Sequence, residues 1–90
     1  MPSSPSGVPP TFGDWPQSAP GVWQVRCGSR FYQVEEAPEG FRVMVSHIQS
    51  SWIGPQGHVA GWGRPPYFAT GQEAVNAAVA HHTRTFGGAA

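Results

Sequence analysis

Four histidines, one cysteine and five carboxylates are the side chains of this 90-residue sequence best suited to metal ligation, acid–base work or thiol chemistry. Structural zinc takes four ligands, usually in paired short spacings. Here His81 and His82 are adjacent and splay apart on a helix, while His47 and His58 lie in separate segments. No metal site and no cofactor is expected. Cys27 alternates with Trp23 and Val25 in "GVWQVRC", which puts it on the inward face of a strand as a structural thiol with nothing beside it to activate it. Glu35 and Glu36 are consecutive on a strand and point to opposite faces, so they do not form an acid–base pair. Asp14 is the sole aspartate, and no phosphate-cradling GxxxxGK[ST] occurs. Without a cluster of titratable groups the chain reads as non-enzymatic, with no catalytic residues.

Aromatic and arginine side chains offer a different chemistry, that of recognition. The stretch "GPQGHVAGWGRPPYF", Gly54 to Phe68, sets His58, Trp62, Arg64 and Tyr67 among glycines and prolines, just after Trp52. Such side chains dominate the energetics of protein interfaces, and Trp52, His58, Trp62, Arg64 and Tyr67 are the candidate partner-binding residues. The chain has five arginines, five carboxylates and no lysine, for a formal net charge of zero. A surface so sparsely charged is poorly protected against association, and a protein partner or self-association is expected. The glycines between Gly54 and Gly63 exceed what a plain hairpin requires.

The elements that position these residues are legible in part. Residues 1–20, rich in Pro, Ser and Gly, read as a flexible tail, followed by one small domain over 21–86 and a short flexible tail over 87–90. "GVWQVRC" alternates as a strand, and Gly28-Ser29 is a two-residue hairpin signal of the type II′ kind. Arg30 to Glu36 forms the second strand, "APEG" a type I turn closed by a glycine bulge, and "FRVMVSHI" the third strand. "QSSWIG" reads as an extension of that strand, and His58 to Trp62 as a short fourth. Thr70 with Glu73 makes a capping box, opening a helix whose Val75, Ala78, Val79, His82 and Phe86 share one stripe until Gly87-Gly88 stops it. The expected fold is α+β: an antiparallel meander of three to four strands with one C-terminal helix packed on one face. Trp23, Val25, Val34, Phe41, Val43, Val45, Val75, Val79 and Phe86 are its core candidates.

A three-stranded sheet backed by a helix, with "GVWQVRC", "FRVMV" and "YFATGQEAVNAAVAHH" in that order, resembles the AP2-like, arm-type DNA-binding modules of tyrosine integrases. Phe68, Thr70, Glu73 and Ala74 stand where that family has its helix start. The resemblance implies nucleic-acid contact through the open sheet face, with Gln24, Arg26 and Arg42 as the contacting residues. Phosphate contacts dominate affinity for DNA, and five arginines without lysine supply few.

The leading expectation is therefore a small non-enzymatic binding module acting through protein–protein contact, as a homo-oligomer or on a separate partner. The nucleic-acid module is the alternative. No stretch approaches eighteen consecutive apolar residues, and the N-terminus lacks a basic region followed by an apolar one. A single cysteine gives no disulfide framework. A cytoplasmic protein is expected, and its Arg-only, Gly/Ala-rich composition suits an accessory factor of a high-GC bacterium or its phage.

Overall fold

The computed structural model describes residues 8–85. Six strands follow one another in chain order across one antiparallel sheet: β1 (Gln17–Ala19), β2 (Val22–Cys27), β3 (Arg30–Ala37), β4 (Gly40–Ser46), β5 (Ser50–Ile53) and β6 (Val59–Gly61). Among the described residues one α-helix, α1 (Gly71–Thr85), comes last and packs on a single face of that sheet. The fold is thus α+β with an antiparallel sheet and a C-terminal helix, but the sheet has six strands rather than three or four. No helix is long and apolar enough to cross a membrane among the described residues.

Two hairpins fall where turn chemistry puts them. Cys27 pairs with Arg30 around Gly28-Ser29, and Ala37 pairs with Gly40 around Pro38-Glu39. Gly40 sits at φ +137°, and a Cβ there would meet the Phe68 carbonyl oxygen at 2.5 Å. That closeness exists because the lead-in to the helix runs beside β4: Phe41 and Phe68 exchange backbone hydrogen bonds of 2.8 and 2.6 Å.

The miscounted strands have a definite cause. β4 stops at Ser46, and His47 to Gln49 reverse the chain into β5 with no glycine or proline. The reversing residues carry no turn signature, so the strand expected to run from Phe41 through Ile48 and on to Ile53 is two strands. β6 covers only the middle of the expected His58–Trp62 run.

Residues 8–20 of the expected 1–20 tail are seated on the fold. A 3-10 turn at Phe12–Asp14 and strand β1 lay this segment over the core. Trp15 is only 4% exposed and donates its indole N–H to the Pro9 carbonyl at 2.9 Å. Gln72 pins the same segment to the helix, accepting from the Phe12 N–H at 2.9 Å and donating to the Pro10 carbonyl at 2.8 Å. Aromatic side chains, each burying a large area, offset the ordering cost that the Pro/Ser/Gly composition implies. Residues 1–7, Phe86, the Gly87-Gly88 stop and the 87–90 tail lie outside the described residues.

The helix starts as its capping box requires: Thr70 Oγ1 accepts from the Glu73 N–H at 3.1 Å. Glu73 returns its carboxylate to the N–H of Ala69 at 3.1 Å, one residue before the cap. Its inward side is Gly71, Ala74, Val75, Ala77, Ala78 and His81. The buried histidine is therefore His81, whereas His82 and Val79 sit at the margin. Small residues let the helix approach the sheet closely, and Trp23, Val25 and Phe41 pack around Val34, Val43, Val45, Ile53 and Val75. Phe12, Trp23 and Phe41 fill the end near the helix start, with Phe12–Trp23 ring centroids 4.8 Å apart.

Candidate binding face on the open side of the sheet

Strand alternation sends Trp23, Val25, Tyr32, Val34, Val43, Val45 and Ile53 toward the helix and every neighbour the other way. The face away from the helix carries no second layer among the described residues. The register arranges it in rows. Gln24, Gln33, Met44 and Trp52 lie side by side across β2 to β5, and Val22, Glu35 and Arg42 form the next row. Arg26, Phe31, Ser46 and Ser50 form the third.

The first two rows are stitched together. Gln24 Nε2 donates to Gln33 Oε1 at 2.7 Å, and Gln33 Nε2 donates in turn to Glu35 Oε2. Arg42 meets the other oxygen of Glu35 through Nε at 2.8 Å and Nη2 at 2.7 Å. Its Nη1 donates to the Tyr67 hydroxyl at 3.4 Å. Partial burial opposes the Arg42 charge, but the hydrogen bond and negative charge of Glu35, helped by Tyr67, hold its pKa above the ordinary value.

The Arg42 guanidinium also lies over the Trp52 ring, 5.0 Å from its centroid. Trp62 stacks on Trp52 with ring centroids 5.2 Å apart and planes 3° from parallel. Between them the two neighbours leave Trp52 8% exposed, while Trp62 is 61% exposed. The result is a flat indole fixed on a support, one ring face turned to solvent, beside a hydrogen-bonded polar ribbon.

The residues singled out in the sequence sort clearly on this frame. Trp52, Trp62 and Tyr67 come together, and Gln24 and Arg42 join them although their pattern suggested another partner. Arg26 lies on the same face in the third row and is exposed. Arg64 is exposed and lines a recess with Glu39, Pro65 and Tyr67, at the margin. His58 keeps its hydrogen bond within its own turn, Nδ1 to the Pro55 carbonyl at 2.8 Å, and its ring covers Gly54. That bond ties the turn together while the side chain stays exposed. Sequence reasoning missed Gln33 and Glu35 as members of the face. The signal was present, because a two-residue hairpin fixes which residues stand opposite, and it sets Gln33 against Gln24 and Glu35 against Arg42.

Titratable groups gather on the other side, under the helix. The Tyr32 hydroxyl lies 2.9 Å from His81 Nδ1, both buried. Burial first, then the nearby Cys27, pushes the Tyr32 pKa up to about 12 against a smaller pull from Arg30. Burial first, then the positive charges of Arg30, His82 and Arg84, pushes His81 down. Between a protonated phenol and a neutral imidazole, the His81 tautomer sets which of the two donates. His82, whose ring lies edge-on to Tyr32 at 6.1 Å, is lowered by burial and by Arg30. Cys27 is buried and its thiol pushed up by desolvation, the opposite of an activated nucleophile. Among the described residues no three His, Cys, Asp or Glu side chains converge as a metal site.

A pH dependence follows from these shifts. Both histidines have folded-state values below the ordinary 6.5. As the pH falls past 6.5 the unfolded chain takes up protons before the folded one, so stability present above that value is lost on the way down to the folded-state values. Thermal unfolding from pH 8 to pH 4.5 is expected to show a constant midpoint above about 7 and a falling one below about 6.5. In His81→Gln the fall becomes shallower, since one of the two histidines no longer titrates; an unchanged slope would refute the assignment.

Comparison with known protein families, with curated proteins and with solved structures finds no match to this chain.

Proposed function

We propose that this protein is a non-enzymatic binding module that docks a protein partner on the open face of its sheet, with Trp62 as the anchor. The observation that carries this reading is the Trp62 indole, 61% exposed yet held parallel to Trp52. A large exposed apolar ring is usually mobile and loses rotamer freedom on binding. One already stacked on a buried ring loses little, which is how interface anchors gain affinity through preorganisation. Arg42, Tyr67, Gln24 and Gln33 frame it with polar groups, as a hydrophobic anchor is framed at interfaces.

The test is capture from the source cell with the wild-type chain and with Trp62→Ala as bait. Trp62→Ala is expected to lose the specifically captured protein while remaining folded, with unfolding free energy lowered by about 0.5–1.5 kcal/mol for the lost ring pair. Equal capture by both baits would refute the docking role of this face.

The AP2-like nucleic-acid reading draws support from one observation: Gln24, Arg26 and Arg42 do share the open face. Against it, Arg42 is already neutralised by Glu35, leaving Arg26 as the charge that face adds. On that reading, binding to duplex DNA would fall steeply with salt and weaken in Arg26→Ala. A flat response at low salt removes it.

A further inference from the structure

The chemistry of the open face, taken with the docking role proposed above, selects a class of partner. We infer that the segment bound there is a proline-rich stretch of the partner in the polyproline II conformation.

Three observations converge on that class. The first is the shape and rigidity of the anchor. A flat indole with one solvent face, backed by Trp52, suits packing against a compact, stiff, apolar ring, and the pyrrolidine of proline is such a ring with its backbone φ locked. Aromatic surfaces of this kind are the recurring receptors of proline-rich segments, which arrive already extended and so lose little entropy.

The second is the balance of donors and acceptors. Glu35 is the one carboxylate in the stitched rows, and its oxygens are occupied by Gln33 and by two nitrogens of Arg42. Tyr67 accepts from Arg42 and keeps its own proton to donate. Trp62 brings an indole N–H, a donor only, and each glutamine amide that donates within the ribbon holds a second N–H. Gln24 Oε1 is the amide oxygen that no bond of the ribbon occupies, so donors outnumber acceptors on this face. A polyproline II segment is its complement, since its carbonyls are unpaired and point outward while each proline has no N–H to leave unmatched.

The third is charge and length. The Glu35–Arg42 pair cancels within the face, which suits a neutral segment and gives a polyanion little to hold. From Gln24 on β2 to Trp52 on β5 there are three inter-strand steps of about 4.8 Å, roughly 14 Å in all. About five residues of polyproline II, at about 3.1 Å each, span that row.

The test uses the full chain and synthetic decaproline, with a Gly-Ser decapeptide, a neutral cello-oligosaccharide and a short oligothymidine as competitors of other chemistry. Binding is followed by tryptophan fluorescence and by amide chemical shifts. Decaproline is expected to saturate with a dissociation constant below about 1 mM, to shift Gln24, Gln33, Trp62 and Tyr67, and to weaken at least about tenfold in Trp62→Ala. Trp62→Phe should recover part of that loss, because it keeps a stacking ring. Failure of decaproline to saturate, equal binding of the Gly-Ser peptide, shifts confined to other residues, or tighter binding of the sugar or the oligothymidine at these residues would each overturn the inference. If decaproline fails while Trp62-dependent capture holds, the proline class falls and the protein-docking reading stands. If capture is independent of Trp62, that reading falls with it.

Discussion

Trp15→Ala is expected to lower the unfolding free energy by about 3–5 kcal/mol, the range for deleting a buried large aromatic. A domain of this size holds roughly 0.05–0.15 kcal/mol per residue, so the loss is a large share of the total. Trp15 is 4% exposed, belongs to the main core cluster and anchors the Pro9 carbonyl. Removing it opens a cavity beneath the segment and frees the stretch that Gln72 fastens to the helix. Urea denaturation measures the effect. A change below about 1 kcal/mol would mean that residues 8–15 add little to the core. Gln72→Ala offers a milder version, because it cuts the ties to Phe12 and Pro10 without making a cavity.

Gly57→Ala is expected to cost about 2–5 kcal/mol, from two sources. Gly57 has φ +84°, where a residue with a Cβ is disfavoured by about 1–2 kcal/mol. The added carbon would also lie 2.5 Å from the His81 nitrogen and 2.8 Å from the Ala80 carbonyl carbon. Those are backbone atoms of α1, so no rotamer change relieves the clash and the loop or the helix must move, at the cost of overpacking. Gly63→Ala is the control: nothing lies within 4 Å of a Cβ there and its φ is ordinary, so it should stay within about 0.5 kcal/mol of wild type. Equal stabilities for the two variants would show that the loop does not seat against the helix.

That pair of glycines explains much of the Gly54–Phe68 stretch. Its glycine content looked excessive for a hairpin because the sequence does not show what the loop must touch. Gly57 is small so that the 3-10 turn at Pro55–Gly57 can lie on the helix backbone, and Gly54 is covered by the His58 ring. His58, a contact candidate by its type, bonds within this turn and covers Gly54 while remaining exposed. Trp62 emerges on the other side of the sheet, where its ring finds Trp52.

Local chemistry was enough wherever the cause is local. Two-residue turns with suitable residues specify the β2–β3 and β3–β4 hairpins, and with them the opposition of Gln24 to Gln33 and of Glu35 to Arg42. The Thr70–Glu73 cap specifies where α1 begins, because its bonds are made within four residues. The neutral, lysine-free composition is likewise a property of the sequence alone. What failed depends on contacts distant in the chain. The first strand and the burial of Trp15 exist only because the helix and sheet offer a surface, and the reversal at His47–Gln49 carries no turn residue of its own. Which helix stripe faces inward was decided between two adjacent histidines by the phenol of Tyr32, 49 residues from His81, since a buried hydroxyl needs a partner. The proposed binding face is of this second kind. Its members come from β2, β3, β4, β5 and the segment after β6, and only the folded sheet, covered by α1 on its other side, lays them in one plane.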